Sequence, residues 1–189
     1  MKPIVLVLSL FALATLPLSA EGAGGVDFYQ VVGRDLWGLP GSSGLPAVTG
    51  QISAVGGSGY GVDEDGTMVG GFGLGVTSRN LSLADSPTGG LVTGFHAGYG
   101  GMMSGWQHRW GPIVGQAVTR IGFGGADWSS VAGFSMLGMA DVQVGLMLFP
   151  WFNLAVSGGL AGTLTLVSGQ PLIVGYAPTL GLHLHWGAY

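Results

Sequence analysis

From Leu154 onward, large apolar residues take every second position. Leu154, Val156, Leu160, Leu164 and Leu166 alternate with Ala155, Ser157, Gly159, Ala161, Thr163 and Thr165. The same period returns from Leu172, where Val174, Tyr176, Leu180, Leu182, Leu184 and Trp186 alternate with Gly175, Ala177, Thr179, Gly181, His183 and His185. Successive side chains of a strand point to opposite faces, so each segment has one large apolar face and one face of small or mildly polar groups. Reading this period with the Gly, Pro and Asp punctuation predicts about eight strands, over 26–32, 48–62, 67–77, 90–109, 113–123, 131–148, 152–167 and 172–186.

Composition decides which face meets what. If the apolar faces lined the inside of a water-soluble barrel, the other faces would need charge to stay in solution. Only 7% of the chain is charged, and 39 of its 189 residues are Gly, far above the roughly 7% Gly of ordinary proteins. The reading that follows is a closed antiparallel up-and-down transmembrane β-barrel, its apolar face toward lipid and its small and polar face in a narrow lumen.

Residues 1–20 have the form of a cleaved signal peptide: Lys2, an apolar run from Ile4 to Leu16, then Pro17, Leu18, Ser19 and Ala20. The barrel domain is then 21–189. The chain has no Cys, which excludes a lipid-modified cysteine, a disulfide framework and a thiolate metal site. Lys2 is the only Lys, leaving Arg34, Arg79, Arg109 and Arg120 against nine acidic residues, so nucleic acid is not an expected partner.

The connections fit a barrel. Short joins at 63–66, 110–112 and 149–151 alternate with longer ones at 33–47, 78–89, 124–130 and 168–171, as short periplasmic turns alternate with outer loops. Charges concentrate in or beside these joins. Within the spans, Arg120 and Asp141 lie on the inward parity, with Asp27 in the weakest strand. Trp106, Trp110, Phe149, Trp151, Phe152 and Trp186 fall near the ends with short turns, where an aromatic girdle belongs. Two finer expectations concern glycine. The outward parity of the fourth strand changes from Leu91, Phe95 and Tyr99 to Met102, Trp106 and Trp110, which predicts a bulge across 98–101. Gly57, Gly59 and Gly61 are expected to face Gly71, Gly73 and Gly75 on the inner wall, a flat surface that either receives lumen residues such as Met139 and Gln143 or leaves room for a slender ligand.

The alternating strands, the turns Trp110-Gly111-Pro112 and Phe149-Pro150-Trp151, and the closing segment Leu182 to Tyr189 resemble the small eight-stranded outer-membrane barrels of double-membraned bacteria. The resemblance implies the bacterial outer membrane as location, reached by export through the inner membrane. It also implies membrane lipids and the outer-membrane assembly machinery as partners, and a monomer. In that family the last strand ends in an aromatic residue; here Tyr189 is out of phase with the apolar set that ends at Trp186. The resemblance is architectural, porin-like in form, and carries no activity with it. Eight strands enclose an interior that side chains nearly fill, so a general diffusion pore is not expected.

Hairpins centred at Pro150 and near Gln170 bring Asp141, Gln143, Ser157, His183 and His185 to one inward patch in the periplasmic half of the lumen. An acid, a hydroxyl and an imidazole are the parts of nucleophilic acyl transfer. They are also what fills a lumen whose polar groups must hydrogen-bond to one another, and the second reading is the one adopted. Barrel lipid deacylases carry a His and a Ser two apart on one strand, whereas His183 and His185 flank Leu184 with no such Ser. Arg120 and Asp141 do not pair in this register: a hairpin centred near Asp127 puts them roughly 20 Å apart. Asp63-Glu64-Asp65-Gly66 reads as a solvated turn rather than a calcium loop, and His96 and His108 as isolated residues. No cofactor or metal is assigned.

The expected function is a non-enzymatic outer-membrane barrel serving envelope structure or surface interaction. The alternative is a lipid-modifying barrel enzyme, an acyl hydrolase or transferase, using Asp141, Ser157 and His183. A helical inner-membrane protein is a third reading, since 142–167 is long and uncharged; the two-residue period and Pro150 oppose it.

Overall fold

A computed structural model describes residues 21–32, 51–79, 95–128 and 131–189. They form eight strands: β1 (Glu21–Val31), β2 (Gln51–Val62), β3 (Thr67–Arg79), β4 (Phe95–Trp110), β5 (Ile113–Trp128), β6 (Val131–Phe149), β7 (Phe152–Val167) and β8 (Ile173–Gly187). Each pairs with the next, and β8 pairs antiparallel with β1 from Ala23↔Gly187 to Val31↔Thr179, closing the barrel. No helix occurs among the described residues, and 142–167, the stretch long enough to suggest a membrane helix, is divided between β6 and β7.

Three of the turns are tight and lie at one end. Between β2 and β3, Gly66 adopts φ +87°, where a side chain would be strained and would strike the Gln107 carbonyl. Asp65 Oδ1 accepts the Thr67 N–H at 2.9 Å. That bond holds the Asp65 carboxyl below the usual carboxylate range. Gly111 and Pro112 join β4 to β5, with Trp110 paired to Ile113. Pro150 and Trp151 join β6 to β7, where the register shifts between Met147 and Phe149. We refer to this as the turn end and to the opposite one as the loop end.

The lumen is filled from two unequal walls. β7 and β8 turn Ala155, Ser157, Ala161, Gly175, Ala177 and Gly181 inward, while β1 to β4 contribute Tyr29, Tyr60, Met68, Leu74, Phe95, Tyr99 and Met103. Large residues from one side pack over small ones from the other, as dense packing requires. Toward the loop end Tyr29, Val31, Ile52, Leu74, Phe95 and Leu137 belong to one apolar cluster. Toward the turn end Ala23, Tyr60, Val62, Met68, Met103 and Val118 form a second, with Tyr189 packed against it. A cavity bounded by Tyr29, Val31, Leu74, Leu137, Met139 and Thr179 measures about 10 Å³, about the space one water needs.

This packing corrects two expectations about glycine. Gly57 pairs with Gly73 and Gly59 with Gly71, but on the outer face, because Ser58, Tyr60, Met68 and Leu74 occupy the inward parity. The rule of large outward and small inward, which holds in β7 and β8, reverses in β2 and β3: the narrow interior needs volume from the wall opposite the small one. β4 keeps a single parity. Phe95 (0% exposed), Tyr99 and Met103 all point inward, and its pairing with β3 and β5 runs through 98–101 without a shift. The expected bulge is absent there, and among the described residues a register shift occurs only beside the Pro150 turn.

Most outward positions are apolar or glycine. Phe28, Val55, Val69, Met102, Ile121, Phe123, Phe134, Val142, Val144, Val156, Leu160, Leu166, Val174 and Leu180 are all exposed. Near the turn end Trp106 stacks on His108 at 5.4 Å, and Phe149 stacks on Trp151 at 5.5 Å. Trp106 also donates its indole N–H to the Asp65 carbonyl at 3.1 Å.

Candidate functional site

Between the two apolar clusters lies a belt of buried polar side chains: Asp27, Ser58, Gln107, Gln116, Arg120, Asp141, Gln143, Ser157, His183 and His185. Alternation along the strands supplies these residues from every strand but β3. A buried polar group is tolerated only where it finds a partner, so the belt is organised by hydrogen bonds.

The five residues expected to form one patch divide between two networks. In the first, Asp27 on β1 stands opposite His183 on β8 across the closing seam. Asp27 Oδ1 lies 2.7 Å from His183 Nδ1 and 2.9 Å from His185 Nε2. A carboxylate only accepts, so both rings turn an N–H toward it. His183 Nε2 is then an acceptor for the Ser157 hydroxyl at 2.8 Å. His185 Nδ1 faces the Tyr60 hydroxyl at 3.4 Å, and Gln116 Nε2 donates to Tyr60 Oη at 2.9 Å and to Gln107 Oε1 at 2.7 Å. The hydrogen bonds link both imidazoles into one continuous chain from Ser157 to Gln107.

Ser157 pairs in register with Gly181 and reaches diagonally to His183. The glycine makes this possible: a Cβ at position 181 would lie 2.3 Å from Ser157 Oγ and 2.6 Å from His183 Nε2. In the β6–β7 register Asp141 faces Gly159 and Gln143 faces Ser157. In the β7–β8 register Ser157 faces Gly181, two residues from His183 along β8.

In the second network Arg120 Nη1 and Asp141 Oδ2 form a buried ion pair, and Gln143 Nε2 donates to Asp141 Oδ1 at 2.7 Å. This corrects the expectation that Arg120 and Asp141 lie far apart. β5 continues to Trp128 and β6 begins at Val131, so Arg120 is level with Met139, one inward position from Asp141. A hairpin centre near Asp127 was too early because the Gly-rich 122–125 segment belongs to the strand. Tyr29 sits between the networks, under the Arg120 guanidinium at 5.7 Å and edge-on to the His183 ring at 5.2 Å.

Asp27 is the residue that sequence reasoning left out of the patch, together with Tyr60 and Gln116. Its neighbours are set by the β1–β8 seam, whose register no local turn fixes. The Ser157, His183 and Asp27 side chains are connected in the order of a nucleophile, a base and an orienting acid. All three are buried. Asp27, His183 and His185 bring three metal-ligating atoms within 4.8 Å of one another.

The fold and site define the class: a small, closed, eight-stranded antiparallel β-barrel with a filled lumen and a buried polar belt. No protein-family model matches the chain, and no curated protein matches it either.

Proposed function

We propose that this chain is a non-enzymatic integral barrel of a bacterial outer membrane, serving envelope structure or surface interaction. The observation that carries the reading is the distribution of polarity: apolar side chains face outward on strand after strand, while Asp27, Arg120 and Asp141 are buried within. Water-soluble monomers rarely expose a continuous apolar surface beyond a few hundred Å², whereas lipid demands one. Strands of 11 to 19 residues reach or exceed the roughly 9–11 needed to cross a bilayer at a tilt. Export by the signal over 1–20, insertion by the assembly machinery and a monomeric state belong to the same proposal.

The absence of Cys allows a clean test. A fluorophore attached through Leu160→Cys is expected to be quenched by brominated acyl chains after reconstitution, and one attached through Asp65→Cys is not. Equal quenching at both positions, or none at position 160, would overturn the reading.

The Ser157–His183–Asp27 connection favours a second reading, acyl transfer on a lipid. Against it, Ser157 lies inside the wall with apolar clusters toward both ends of the lumen. This reading predicts that Ser157→Ala abolishes lipid acyl cleavage in a protein that still folds, and identical lipid profiles would sink it.

A further inference from the structure

We propose that Asp27, His183 and His185 form a binding site for a first-row divalent transition-metal ion, of the zinc class, inside the lumen. One carboxylate oxygen and two imidazole nitrogens converge from β1 and β8, with Asp27 Oδ1 2.7 Å and 2.9 Å from the two nitrogens. Zinc bonds of about 2.0–2.2 Å separate neighbouring tetrahedral donors by roughly 3.3 Å, so the carboxylate oxygen has to open from each nitrogen by about half an ångström, while the two nitrogens, within 4.8 Å of each other, settle to the same separation. Imidazole nitrogen with a carboxylate and no thiolate suits zinc, cobalt, nickel or iron rather than magnesium or calcium, which prefer all-oxygen sites.

The surroundings supply what such a site needs beyond its ligands. A metal-bound imidazole ordinarily donates its other N–H to a nearby acceptor. Ser157 Oγ stands 2.8 Å from His183 Nε2, and Tyr60 Oη 3.4 Å from His185 Nδ1. In the loaded site each ring carries its outer N–H, donated to Ser157 Oγ by His183 and to Tyr60 Oη by His185. A further donor stands beside the site: Ser58, on β2, buries its hydroxyl close to the Asp27 carboxylate. Its oxygen, or a water held by it, can take the fourth position. The belt also holds two carboxylates, Asp27 and Asp141, against one guanidinium, so a cation is electrostatically favoured there.

Apolar clusters lie on both sides of the site, so loading is expected during folding and exchange afterwards to be slow. The test uses the full chain carrying His96→Ala and His108→Ala, to remove the two exposed imidazoles. It is refolded into detergent with Zn²⁺ or Co²⁺ and then passed through chelator. The expected result is about one retained ion per chain by elemental analysis, visible Co²⁺ absorption typical of nitrogen and oxygen ligands, and a higher temperature for loss of the compact gel form. His183→Gln with His185→Gln is expected to lose retention. No retention by the parent, or equal retention by the histidine variant, would overturn the site. If the histidine variant fails to fold, the metal content and Co²⁺ spectrum of the parent decide alone. The inference needs the closed barrel and not its location, so a folded barrel without metal would remove the site and leave the outer-membrane reading standing.

Discussion

Asp27 accepts two imidazole N–H groups at one carboxylate oxygen, so removing its charge leaves two buried donors without a partner. Asp27→Ala is expected to destabilise the barrel by about 2–4 kcal/mol, measured in urea titrations of the refolded protein. The Arg120–Asp141 pair allows a sharper measurement because Arg120 is the one buried guanidinium among the described residues and Asp141 is the carboxylate bonded to it. Arg120→Met or Asp141→Leu alone is expected to cost about 3–5 kcal/mol, and the double variant less than either, since it strands no charge. Additive losses would show that the two do not interact. Gly181→Ala drives a methyl group into Ser157 Oγ and His183 Nε2. It is expected to break that hydrogen bond, visible as a shift of the His183 ring resonances, at a cost of about 1–3 kcal/mol.

At the level of strands, glycines on the two faces of the wall are expected to behave differently. A Cβ at Gly59 or Gly73 on the outer face meets no atom within 4 Å, whereas one at Gly124 meets the Gly98 carbonyl oxygen at 1.6 Å. Gly73→Ala is expected to change stability by no more than about 0.5 kcal/mol, and Gly124→Ala to impair folding outright, compared by refolding yield. The same contrast marks how far the sequence could be read. All eight strands and the turns at 66, 111 and 150 follow from period and punctuation, because alternation and turn chemistry are local properties. Which face of β2 and β3 points inward does not follow locally. It depends on the volume left open by Ala155, Ser157 and Gly181 on the far wall, which only the closed barrel brings together. The Arg120–Asp141 pair was missed for a related reason: Gly-rich ends of β5 look like loop, and an error in the hairpin centre moves every partner along the ladder. His183 and Ser157 were found because their hairpin is short; Asp27 was not, because it meets them across the seam between first and last strands.

For the molecule as a whole, the barrel packs its lumen with apolar clusters and a polar belt and also leaves large apolar side chains exposed on its outer face. A filled lumen with a residual cavity of about 10 Å³ is expected to carry no steady ion current in a planar bilayer, and an open conductance of porin size would contradict the packing. The account rests most on a closed barrel held in lipid, and the direct measurement is migration on a denaturing gel with and without boiling, performed on separated inner and outer membranes. A barrel closed by the β1–β8 ladder resists detergent until heated, so the protein is predicted to appear in the outer-membrane fraction and to change its migration on boiling. Identical migration of boiled and unboiled samples, with recovery in the inner-membrane or soluble fraction, would contradict it.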